Sequence, residues 1–145
     1  MTTGTADIPV GSELPPLAAG PITRTTLALF AGASGDHNPM HIDTDVARSA
    51  GLGDVFAHGM LSMAYLGRLL TDWVAPEAIR TYGVRFGAIT PVLAEPTATG
   101  KVVAIEDVRG ERHATLDIAV TLPDGTVTLT GTAVVALTGS TVTTL

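Results

Sequence analysis

The chain of 145 residues contains no cysteine. Disulfides, thiol nucleophiles and zinc–thiolate sites are therefore excluded. Charge is scarce too: charged residues make up 15% of the chain, hydrophobic ones 46%. A domain with so few charges hides more surface than a monomer can, which predicts an oligomer. The net charge of −6 argues against nucleic acid as a partner. Long apolar runs are missing as well. Residues 55–70 come nearest, but His58 and Arg68 interrupt them, so they are too short and too polar to span a bilayer. Residues 1–10 have neither a basic start nor an apolar run, so no signal peptide is expected. These features predict a single cytoplasmic domain that does not enter a membrane.

Polar chemistry is concentrated in one place. Ala33-Ser34-Gly35-Asp36-His37-Asn38-Pro39-Met40-His41 packs an acid, two histidines, an amide and two backbone-bending residues into nine positions. A turn at Gly35 and Pro39 brings Asp36 and His41 round to one small volume. An acid and an imidazole sharing a volume can move a proton and hold a water molecule near neutral pH.

The rest of the chain reads as one α+β domain over residues 1–145, with its core over about residues 8–137. A short strand is expected within residues 11–21. Thr23 or Thr25 is the natural N-cap for an amphipathic helix that ends at the Gly35-Asp36 turn. Residues 44–50 read as a short helix stopped by Gly51. A longer helix runs over residues 59–73, apolar on nearly every side, as a buried helix is. Beyond Pro76 the period changes to two. Strands are predicted over residues 82–88, 102–108, 114–122 and 127–137, with turns at Gly110 and at Pro123-Asp124-Gly125. Consecutive strands with short connections give an antiparallel sheet, and the apolar helix must pack on it. The Thr-rich tail 138–145 is expected to fray.

Gly35-Asp36-x-Asn38-Pro39-x-His41 resembles the signature of the MaoC-like, (R)-specific enoyl-CoA hydratases (hydratase 2). Ala57-His58-Gly59 at the start of the long helix, Val84-Arg85-Phe86 and Pro91-Val92 agree with it. Within that family the chain looks close to the catalytic subunit of the mycobacterial-type (3R)-hydroxyacyl-ACP dehydratase. The resemblance implies a hot-dog fold, an antiparallel sheet wrapped around a long buried helix. It implies reversible hydration of a 2-enoyl thioester, with the acyl group carried on CoA or ACP and no cofactor. By the same resemblance Asp36 and His41 divide the proton work, and the Gly59 N–H holds the charge developing on the thioester oxygen. Asn38, Pro39 and His58 orient the loop and the substrate. The partner would be a second hot-dog subunit, identical or different.

Three other readings compete. His37, His41, Asp43 and Asp45 offer metal-ligand chemistry, but Pro39 disfavours the helix that a four-residue His spacing needs; no metal is expected. A hot-dog thioesterase would use an acid on the central helix, which residues 59–70 lack. A non-catalytic acyl-binding subunit would lack the Asp–His pair, which is present here. His113 and the threonines at 126, 128, 130 and 132 read as surface, Met60, Met63 and Leu66 as core, and Arg85 as a structural cation or a contact for a CoA phosphate.

Overall fold

The computed structural model describes residues 8–137; the tail expected to fray lies outside them. A two-residue strand, β1 (Leu17–Ala18), precedes helix α1 (Arg24–Ser34), a 3₁₀ turn (Pro39–His41), the short helix α2 (Thr44–Ser49) and the long helix α3 (Gly59–Thr71). A second 3₁₀ turn (Pro76–Ala78) leads into β2 (Ile79–Phe86), β3 (Thr97–Val108), β4 (Glu111–Thr121) and β5 (Val127–Ala136). The strands form one antiparallel sheet in the order β1-β3-β4-β5-β2, curled around α3 as a hot-dog fold requires.

Local chemistry explains the boundaries. Thr23 caps α1 by accepting the Thr26 N–H, and Gly35 closes it in the left-handed conformation at φ 76°. Asp43 caps α2 through the Asp45 and Val46 amides. The long helix stops at Thr71, two residues before the expected end, yet Trp73 stays buried in the turn that follows. β3 starts five residues earlier than predicted, at Thr97, because Thr97 and Ala98 pair with β1.

Two apolar clusters hold the layers together. In the first, Leu66, Leu69 and Leu70 of α3 meet Leu116, Ile118 and Val120 of β4 and Leu129 and Val135 of β5. Each fully buried leucine of this kind is worth roughly 1.5–3 kcal/mol. In the second, Ile22, Leu27, Ala47, Val55, Ala57 and Leu61 lie under the segment that overhangs the start of α3. The helix is not buried all round: Met60, expected in the core, is 54% exposed, and Ala64 and Arg68 are exposed with it. Among the described residues, no strand covers the apolar residues on that side.

Strand alternation also breaks at Thr128. Thr128 was expected on the solvated face but is fully buried, and its hydroxyl donates to the Val120 carbonyl. The register between β4 and β5 shifts at Val120/Thr121, and the irregularity turns Thr128 and Leu129 inward together. His113 is likewise not a free surface residue. Its side chain is 16% exposed and bonds the Glu111 carboxylate at 2.5 Å.

β2 is an edge strand fixed at several points. It pairs with β5 from Ile79 to Phe86. The Tyr82 hydroxyl donates to the Met63 carbonyl of α3, and burial pushes its pKa up to about 12. Arg80 spans to Glu111 of β4 through two hydrogen bonds, 2.8 and 2.5 Å. Arg80 first, and His113 after it, hold the Glu111 carboxyl down at about 2.

Two predictions follow from the way β2 is held. A Cβ on Gly131 would run into the Gly83 carbonyl and approach the Val84 Cα to 3.0 Å. Backbone cannot swing aside, so Gly131→Ala should lower stability by about 1–3 kcal/mol in denaturant titration. Glu111 is an acid with a depressed pKa, so its contribution is complete above pH 4.5 and is lost as pH falls toward 2. Glu111→Gln should therefore melt lower at neutral pH and show a flatter fall of Tm on acidification.

Candidate functional site

The polar stretch folds as a chain of local caps. Gly35 ends α1, and the Asp36 N–H donates to Ser34 Oγ at 3.2 Å. The Asp36 carboxylate then accepts the Asn38 N–H at 3.2 Å. Asn38 Oδ1 accepts the Met40 N–H at 3.1 Å and caps the 3₁₀ turn that Pro39 begins. The turn delivers His41 into the interior at 7% exposure, while Asp36 stays exposed beside it. His37 is exposed and outside the cluster.

His41 is held from behind. Its Nδ1 lies 2.7 Å from the Phe56 carbonyl, and its ring meets the Phe56 ring edge-on at 4.7 Å. A carbonyl only accepts, so Nδ1 carries the proton and Nε2 presents a lone pair. The Phe56 segment is itself pinned: the Ala57 N–H donates to the Thr90 carbonyl, and Phe56 bridges Pro91.

His58 completes the group. It is 1% exposed, and its Nε2 bonds the main-chain oxygen of Asp36 at 3.1 Å. Its ring lies 4.0 Å from that of His41 and meets Phe30 edge-on at 5.0 Å. Burial lowers the His58 pKa below the usual imidazole value and outweighs the Asp36 carbonyl, which raises it. The ring therefore stays neutral further into acid than a free imidazole. Its effect on stability has the matching sign: the unfolded chain takes up the proton first, so stability falls as pH drops below about 6.5.

Asp36, His41 and His58 each bring one oxygen or nitrogen to within 4.8 Å of the others, and they are the one such triad among the described residues. An acid and two imidazoles could hold a metal ion or a water molecule. The metal candidates His37, Asp43 and Asp45 do not join them; Asp43 is committed to capping α2.

Gly59 opens α3 directly after His58. Its N–H is among the first helical donors, which the helix leaves unsatisfied and which carry the positive end of its dipole. Beside it lies a cavity of about 350 Å³ whose walls include Phe56, Phe86, Ile89 and Thr90. A Cβ at Gly59 would stand 2.9 Å from the Phe86 ring, so a side chain there would crowd the cavity mouth. Arg85 is exposed and forms no ion pair among the described residues. Sequence reasoning did not foresee the tie between His58 and Asp36, twenty-two residues apart. Nor did it foresee Phe30, Phe56 and Phe86 as ring supports and wall. The one available signal was a histidine directly before the glycine that opens an apolar helix.

The chain is similar in sequence and fold to known proteins. The model of the MaoC-like domain matches residues 9–122. The 3-hydroxyacyl-thioester dehydratase Z of Mycobacterium tuberculosis is 35% identical over 106 residues, covering 68% of this chain and 70% of the relative. The (R)-specific enoyl-CoA hydratase of Rhodospirillum rubrum is 33% identical over 116 residues, covering 79% and 78%. Among solved structures, a chain of the ChsH1–ChsH2 complex from M. tuberculosis superposes with a TM-score of 0.76 at 26% identity, covering 88% of this chain and 97% of that one. The family match over most of the chain, together with the hot-dog fold, establishes that the protein belongs to the MaoC-like family.

Proposed function

We infer that the protein is a hydro-lyase that adds water reversibly to trans-2-enoyl thioesters, giving (3R)-3-hydroxyacyl thioesters. The observation that carries this reading is the convergence of Asp36 and His41 at the foot of α3, where Gly59 presents its N–H. The family's relatives, named as an enoyl-CoA hydratase and a hydroxyacyl-thioester dehydratase, support it.

The chemistry follows from the geometry. Water must lose a proton as its oxygen bonds C3, and C2 must gain one. His41 offers the Nε2 lone pair, because Nδ1 is spent on Phe56. Asp36 keeps one carboxylate oxygen free of the Asn38 amide. The two act as a coupled pair on one water, and their titration belongs to the pair. The thioester oxygen gathers negative charge in between, and the Gly59 N–H at the helix start stabilises it. One such donor lowers the barrier by about 3 kcal/mol. Dehydration runs the same steps backwards. An acid, an imidazole and an amide suffice, so the reaction calls for no cofactor or metal.

The acyl group would arrive on CoA or ACP and thread the apolar cavity beside Gly59. A second hot-dog subunit, identical or related, fits the exposed side of α3 and the free edge of β2, where Met60 and Phe86 lie 54% and 51% exposed. In a mixed pair this chain would be the active member, since it carries both Asp36 and His41. The proposed setting is the cytoplasm. A thioesterase fits less well: α3 bears no Asp or Glu from Gly59 to Thr71.

Purified protein, alone or with a partner subunit, should bleach the enoyl absorbance of crotonyl-CoA or a longer homologue without releasing free thiol. Thiol release would point to the thioesterase. Asp36→Asn and His41→Ala should each lose a hundredfold or more in kcat, on the order of acid–base contributions, with circular dichroism unchanged. Near-normal turnover in either variant removes that residue from the mechanism.

A further inference from the structure

The two ring nitrogens of His58 face different surroundings. Nε2 meets the Asp36 carbonyl at 3.1 Å, and a carbonyl accepts only, so the proton sits on Nε2. In a neutral ring Nδ1 is then a lone pair. That atom is buried and has no partner among the described residues. The Ser62 hydroxyl, in the first turn of α3, is also buried and without a partner. The two do not bond each other, so among the described residues the Asp36 carbonyl alone fixes the proton on Nε2.

The same ring touches both reacting residues in different ways. It grips Asp36 by the main chain and lies against the face of His41 at 4.0 Å. Among the described residues, the other hydrogen bonds of Asp36 stay within the exposed loop, to Ser34 and Asn38. The His58 bond alone ties Asp36 to the buried start of α3.

We propose that His58 is a positioning residue, held as the Nε2–H tautomer by the Asp36 carbonyl, that sets the placement of Asp36 relative to His41. The proposal rests on the hydratase reading above. It differs from a packing role, because only one of the two ring nitrogens matters.

Glutamine and asparagine separate the alternatives. The amide nitrogen of Gln reaches the place of Nε2, whereas that of Asn stops at the place of Nδ1. His58→Gln should keep kcat within a few-fold of wild type. His58→Asn and His58→Ala should lose about a hundredfold in kcat, the scale of an ångström's misplacement, with KM little changed. Circular dichroism and melting curves check that each variant folds; if the Ala variant does not, the Gln–Asn comparison decides. Nitrogen-15 NMR of wild type should show a protonated Nε2 and a bare Nδ1 at His58. Equal losses in Gln and Asn, full activity in the Ala variant, or a proton on Nδ1 would each overturn the proposal. A wild type that turns over no enoyl thioester sinks the hydratase reading instead, and the ring-nitrogen signals then decide the tautomer and its bonds alone.

Discussion

The packing of Leu66, Leu69 and Leu70 into the concave sheet fixes everything else. Those side chains set how deep α3 lies and therefore where its first amide points. The site is assembled around that end: Gly59 begins the helix, His58 precedes it, and the Asp36 loop is tied to it. A dry, close-packed contact suits this task because it resists small displacements. A polar contact at the same place would trade freely with water.

The site itself uses little long-range chemistry. Apart from the two histidine-to-carbonyl bonds, the loop from Gly35 to Asp43 is built from hydrogen bonds spanning two to four residues. Such bonds form wherever the loop is, so they shape it without locating it. Location comes from the two imidazoles, each committing one nitrogen to a distant main-chain oxygen. Neither depends on a charged partner. In a chain with 15% charged residues, placement by neutral donors avoids burying charges that would each need compensation.

Legibility in the sequence followed the range of the interactions. The Gly35-to-His41 turn, the Thr23 cap and the period-two strands are local, and the structure shows each of them. The β1–β3 pairing lengthened β3 beyond its apolar run, and a register shift buried Thr128; both depend on how strands pair, which a single strand's own residues do not specify. The long helix was legible as apolar, but its exposed side at Met60 was not, because hydrophobicity does not say which chain covers it. In the candidate site, the spacing of Asp36 and His41 predicts that they share one volume, and the structure brings them together. The service of His58 to Asp36 was not legible, since twenty-two residues separate them.

The molecule's apolar residues are divided between two clusters that share no member. The larger one sustains the sheet and its helix; the smaller one lies beneath the overhang that carries Asp36 and His41. Substitutions in the smaller cluster can re-aim the reacting groups while the scaffold keeps its own reserve of stability. Lineages built on this plan are thus free to vary the layer beneath the Asp36–His41 loop, with inheritance of the fold secured by the other.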